Sequence, residues 1–90
     1  MERYDVEFAG GQSVCGDGAV NYMIVDVPGS DGEAVRLYAE ETVPAGIEPD
    51  DVEAMAAFDC ESYERLEAEI VRQAVEHAID PKMLRFWMKD

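Results

Sequence analysis

The chain has 90 residues, 21 Asp and Glu against seven Lys and Arg, and a formal charge of −14, with 48% hydrophobic residues. A chain this short forms one domain around one core and buries only about 60% of its unfolded surface, which excludes two domains with a cleft between them. The charge repels nucleic acid and anionic membranes, and leaves a basic protein or a cation as the partner it attracts.

Residues 1–90 therefore read as a single domain. Arg3 to Ala9 alternates, with Tyr4, Val6 and Phe8 on one face and Arg3, Asp5 and Glu7 on the other, which predicts a half-buried strand. Gly10-Gly11 is expected to break it, Gln12 to Cys15 to pair back briefly, and Gly16-Asp17-Gly18 to turn. Val20 to Val27 is apolar on both faces, the pattern of a central strand. Pro28-Gly29-Ser30-Asp31-Gly32 carries turn chemistry. In Ala34 to Glu41, Val35, Leu37 and Ala39 alternate against Arg36, Tyr38 and Glu40, which completes a hairpin.

Glu48-Pro49-Asp50-Asp51 has the acids and proline of a helix start, and Val52, Met55, Ala56 and Phe58 give a short helix its buried stripe. Ser62 is placed to cap a second, longer helix from Tyr63 to about Ile79. Its apolar stripe runs through Tyr63, Leu66, Ile70, Val71, Ala74, Val75 and Ala78. Its outer face offers the pairs Arg65–Glu69, Glu69–Arg72 and Arg72–Glu76. Asp80-Pro81 ends the helix. Leu84 to Lys89 alternates as a last strand, with a short helical turn at Pro81 as the other reading. The predicted fold is α+β: an antiparallel sheet of three to four strands with two helices on one face, in the order β-β-β-α-α-β.

No residue set supplies catalysis, a cofactor site or a metal site. His77 is the lone histidine, at the edge of the long helix's apolar stripe, with no nucleophile tied to it. Cys60 precedes the expected second helix, where a thiolate would be favoured, but Asp59 and Glu61 oppose it. Two cysteines and one histidine do not make a zinc site. Asp26 and Asp31-Gly32-Glu33 lack the ligand spacing of a calcium loop, and the glycine pairs lack the lysine of a phosphate loop. Asp50, Asp51 and Glu53 are accounted for as helix-start acids. MERYDVEF has neither the basic nor the apolar part of a signal peptide, and no apolar run could span a bilayer. The expectation is a cytoplasmic protein with reduced thiols.

The charge is unevenly spread. Residues 1–36 carry seven acids against two Arg, residues 65–90 five acids against five cations, and Leu37–Glu64 nine acids with no Lys, Arg or His. The nine are Glu40, Glu41, Glu48, Asp50, Asp51, Glu53, Asp59, Glu61 and Glu64, and they form the expected partner-binding ridge. If Glu48 to Asp59 were helical, its five acids would give a charge per ~3.6 Å of axis, close to the ~3.4 Å of a DNA strand.

A small, strongly acidic domain without a catalytic set or an export signal resembles the phage and mobile-element inhibitors that mimic nucleic acid, the anti-CRISPR and anti-restriction proteins. The resemblance is one of size and composition. It implies a non-enzymatic inhibitor that occupies a basic, nucleic-acid-binding surface of a host defence complex, such as a CRISPR effector. The alternative is an acidic soluble domain whose charge serves solubility, acting as a small interaction module or homodimer. Trp87, which shares its strand face with Arg85 and Lys89, is its expected contact residue.

Overall fold

The computed structural model describes residues 3–13, 19–29, 31–48 and 50–86. Strands β1 (Tyr4–Ser13), β2 (Ala19–Pro28) and β3 (Ala34–Thr42) are followed by one long helix, α1 (Val52–Glu76). A 3-10 turn at Pro81–Met83 then leads into β4 (Leu84–Phe86). The sheet order is β3-β2-β1-β4. β1/β2 and β2/β3 are antiparallel, and β4 is parallel to β1.

The α+β class and the helix layer on one sheet face match the expectation, but two helices and an all-antiparallel sheet do not. Both differences have one cause. No Gly or Pro interrupts Val52–Glu76, and Ala54, Met55, Ala56, Ala57 and Glu61 are strong helix formers, so the chain has no reason to break before Ser62. The N-cap is Asp51, whose carboxylate accepts from the Ala54 amide at 3.1 Å. β3 runs the same way as β1, and a single helix reverses the chain once, so the next strand must again run with β1. A helical hairpin would have reversed it twice and made β4 antiparallel. A long crossover helix is the usual price of a parallel pair.

Ser62 therefore lies in mid-helix rather than at a cap. It is fully buried against the sheet, and its Oγ has no hydrogen-bond partner. A buried, unmatched hydroxyl costs stability, and Ala is the better helix former. Ser62→Ala is expected to stabilise the fold by about 0.5–1 kcal/mol, which moves the thermal midpoint up by several degrees in a domain of this size. Thermal unfolding followed by circular dichroism measures it. A lower midpoint would mean that the hydroxyl has a role in the folded protein.

The helix ends at Glu76, three residues before the expected Ile79. His77 is the C-cap, and Ala78 takes the left-handed conformation at φ 58°. The amide of Ile79 reaches the carbonyl of Ala74 at 2.8 Å, and the amide of Ala78 that of Val75 at 3.1 Å, the paired bonds of a Schellman cap. Ile79 is buried beside it.

β1 does not stop at Gly10-Gly11. Ala9 pairs with Tyr22 and Gln12 with Val20, so β1 has one residue more than β2 across that step, and the glycines form a bulge. The 28–32 turn closes through Gly29 N–H to Glu33 O at 2.7 Å, with Gly32 at φ +90°. Both readings of the tail hold in part, since Pro81 opens the 3-10 turn and Leu84–Phe86 is strand. Trp87, Met88, Lys89, Cys15 and the Gly16-Asp17-Gly18 turn lie outside the described residues.

The core lies between sheet and helix. Leu66, Ile70 and Ala74 of α1 pack on Met23, Val25, Val27, Leu37 and Ala39, all nearly inaccessible, with Val6 and Leu84 completing it. Burying such apolar surface contributes about 25 cal/mol per Å2. Phe8 meets Tyr63 edge-on with ring centroids 5.2 Å apart. Among the described residues, nothing covers the opposite face of the sheet.

Candidate interaction surface

The structure divides the nine acids of Leu37–Glu64 among three environments. Glu48, Asp50, Asp51, Glu53, Glu61 and Glu64 are exposed. Glu48, Asp50 and Asp51 lie just before α1, and Glu53 is in its first turn, where the positive end of the helix dipole favours carboxylates. Glu61 and Glu64 follow on the outer side, away from the inward positions of Phe58, Leu66 and Ile70. Glu53 and Glu64 are three turns apart on one stripe, about 16 Å. Among the described residues, none of the six has a Lys or Arg within ion-pair distance.

The other three leave the ridge. Asp59 turns inward, and its Oδ1 accepts from Nδ2 of the fully buried Asn21 at 2.9 Å. Gly10 faces the same carboxylate so closely that a Cβ there would stand 3.3 Å from its Oδ2. Glu41 accepts from Arg65 Nε at 2.7 Å and also from its Nη2. The hydrogen bond from Arg65 is the main cause of a Glu41 pKa below the ordinary carboxylate range. Burial opposes it and the Arg65 charge adds to it. The Ser62 hydroxyl, which makes no hydrogen bond, is the last of the influences that lower it. Glu40 belongs to a separate surface, the uncovered sheet face.

The expected helix pairs are correspondingly rearranged. Arg65 crosses to β3 instead of meeting Glu69, and its guanidinium lies 5.7 Å from the Phe58 ring centre. Arg72 bridges two acids, Glu69 through Nε at 2.9 Å and Glu76 through Nη1 at 2.6 Å. The Arg72 hydrogen bond first, with help from Gln73, holds Glu69 at about 2 against an ordinary 4.5. A depressed folded-state pKa adds stability above pH 4.5 and loses it as pH falls towards 2. The stability difference between the wild type and Glu69→Gln is therefore expected to shrink steadily from pH 5 to pH 2. Urea midpoints across that range measure it, and a constant difference would remove the ion pair from the explanation. The effect is small because both groups are solvated.

Gln73 also closes an edge of the sheet. Its side-chain amide accepts from Tyr38 N at 3.1 Å and donates to Tyr38 O at 2.8 Å, as a neighbouring strand would. Strand addition to β3 is blocked at that point.

The chemically reactive side chains do not assemble. Cys60 is exposed nine residues into α1, not before a helix, so the end of a helix dipole does not act on it. His77 is exposed at the opposite end, 17 residues on along the same helix or about 25 Å. Among the described residues, no three His, Cys, Asp or Glu converge on a metal-sized site. No helix among them is long and apolar enough to cross a membrane.

The spacing that would copy a DNA strand is also absent. Only Val52 onward is helical, and of the acids between Val52 and Asp59, Glu53 points out while Asp59 points in. Sequence reasoning missed the Asn21–Asp59 bond, although Asn21 shares the inward parity of Met23 and Val25, a signal that a buried polar group needs a partner. Compared with known protein families, curated proteins and solved structures, the chain matches none.

Proposed function

We propose that the chain is a non-enzymatic binding protein whose exposed acids at the start and outer side of α1 engage a basic, nucleic-acid-binding surface of another protein, in competition with nucleic acid. The observation that carries this reading is the set Glu48, Asp50, Asp51, Glu53, Glu61 and Glu64, exposed together and without an ion-pair partner among the described residues. A one-signed surface of this kind steers a cationic partner and excludes polyanions. The competition is through charge, since the carboxylates do not repeat the phosphate spacing. The resemblance to anti-CRISPR and anti-restriction inhibitors makes a host defence complex, a CRISPR effector among them, the narrower partner class.

A second reading has its own support. Acids are also exposed far from α1's start, at Asp5, Glu7, Asp31, Glu33 and Asp80, as expected if the charge serves solubility alone. The experiment that separates the two is binding to purified basic nucleic-acid-binding proteins, a CRISPR effector complex included, with duplex DNA as competitor. It is run on wild type and on Asp50→Lys/Glu61→Lys/Glu64→Lys. The proposal requires binding that DNA competes away and that the reversals weaken by at least about tenfold.

A further inference from the structure

The uncovered sheet face carries an aromatic patch that the acidic ridge does not use. The register places Tyr22 opposite Glu40, and Ile24 between Glu7 and Tyr38. All five point away from α1, because Met23, Val25, Leu37, Ala39 and Val6 take the inward positions. Tyr22 and Tyr38 are diagonal neighbours, stacked with centroids 6.1 Å apart and planes inclined by 24°. Tyr38 is 41% exposed, and Tyr22 and Ile24 are half-buried. Tyr38 Oη donates to Glu40 Oε2 at 3.0 Å, which fixes a carboxylate at the rim of the ring pair. Glu40 keeps lone pairs for further donors.

We infer that this face is an arginine-recognition patch, taking a guanidinium from a basic partner segment onto the Tyr22–Tyr38 rings with Glu40 as its hydrogen-bond acceptor. Arginine suits the site better than lysine. Its plane stacks on an aromatic face while its edge donates to a carboxylate, whereas an ammonium offers only a point charge. Glu7, on the far side of Ile24, and the chain's charge of −14 add attraction for a second basic residue. The same charges disfavour the other occupants of an aromatic sheet face. A nucleic-acid base would bring phosphates to Glu7 and Glu40. The cations this face offers a second copy, Arg36 and Arg85, lie beside Asp26 and Asp5, and a second copy would add its own Glu7 and Glu40. The inference shares with the proposed function only the basic character of the partner, and it uses a different surface.

The test is a titration of the isotope-labelled full chain, followed by NMR at low salt. The probes are a blocked peptide with two arginines separated by glycine and its lysine counterpart. The arginine peptide is expected to shift the resonances of Tyr22, Ile24, Tyr38 and Glu40, and to bind about threefold tighter than the lysine peptide. Tyr38→Leu and Glu40→Gln are each expected to weaken it about threefold. Glu61→Lys/Glu64→Lys should leave the shifts on Tyr22, Ile24, Tyr38 and Glu40 and the preference for arginine over lysine in place. Glu40→Gln carries the test by itself if Tyr38→Leu does not fold. The inference is overturned if the shifts fall only on the α1 acids, if the two peptides bind equally, or if neither patch variant weakens binding. Those outcomes leave the ridge reading intact, because that reading depends on Asp50, Glu61 and Glu64.

Discussion

Asp59→Leu is expected to cost about 1.5–3 kcal/mol, the range for a hydrogen bond to a charged group whose buried donor stays behind. The donor is Asn21 Nδ2, on a residue with no accessible surface, and leucine at 59 leaves it without that acceptor. Asn21→Leu alone should cost somewhat less, since the partly exposed Asp59 carboxylate can turn to solvent. The double variant Asn21→Leu/Asp59→Leu removes this bond from both sides, although Asn21 also holds a further partner. It is expected to cost no more than Asp59→Leu alone. The cycle should thus show a coupling at least as large as the cost of Asn21→Leu alone, about 1 kcal/mol or more, measured as urea unfolding free energies of the four proteins. In thermal terms Asp59→Leu should lose more than about 4 °C. Strict additivity of the two single costs would show that the bond contributes nothing. This bond ties the third turn of α1 to the middle of the sheet, and it also diverts one acid from the ridge, so stability and surface charge are set by the same residue.

Much of the sheet was legible because its signals are local. The parity of Tyr4-Val6-Phe8, of Met23-Val25-Val27 and of Val35-Leu37-Ala39 gives three strands and their inward faces, and Pro28 to Gly32 gives the hairpin between two of them. The single helix is less legible because Ser62 carries a cap signal that competes with a weaker one, the lack of any breaker from Val52 to Glu76. One misplaced boundary then reversed the predicted direction of β4. The surface was legible only as charge. That Glu41 would be drawn to Arg65, 24 residues away, and Asp59 to Asn21, 38 away, depends on how α1 lies across β2 and β3, which no local pattern encodes. The Tyr22–Tyr38 stack likewise needs the hairpin register, which brings together on the solvent face Tyr38 of β3 and Tyr22 of β2, a strand whose apolar character on both faces points to burial.

The reversal Asp50→Lys/Glu61→Lys/Glu64→Lys is expected to lower affinity for a basic nucleic-acid-binding partner by at least about tenfold, or 1.4 kcal/mol. Asp51 is left in place on purpose. It caps α1 through Ala54, and replacing it would cost about 0.5–2 kcal/mol of helix stability and confuse lost folding with lost binding. Glu53 is spared for a similar reason, as its carboxylate sits at the positive end of the helix. The three chosen positions are exposed and hold no side-chain hydrogen bond among the described residues. Reversing them relieves part of the repulsion within a chain of charge −14 but gives up the attraction of Glu61 and Glu64 for Arg65. The two effects oppose each other, so the unfolding midpoint should stay about level while binding falls. The salt response separates steering from contact. Wild-type affinity should drop steeply between about 0.05 and 0.5 M salt as the screening length contracts to a few ångströms, and the reversed protein should show a much flatter slope. Surface plasmon resonance at several salt concentrations gives both numbers, with the loss appearing mainly in the association rate. Equal slopes for the two proteins would assign these acids to solubility and leave the Tyr22–Tyr38 face as the remaining candidate for a basic partner.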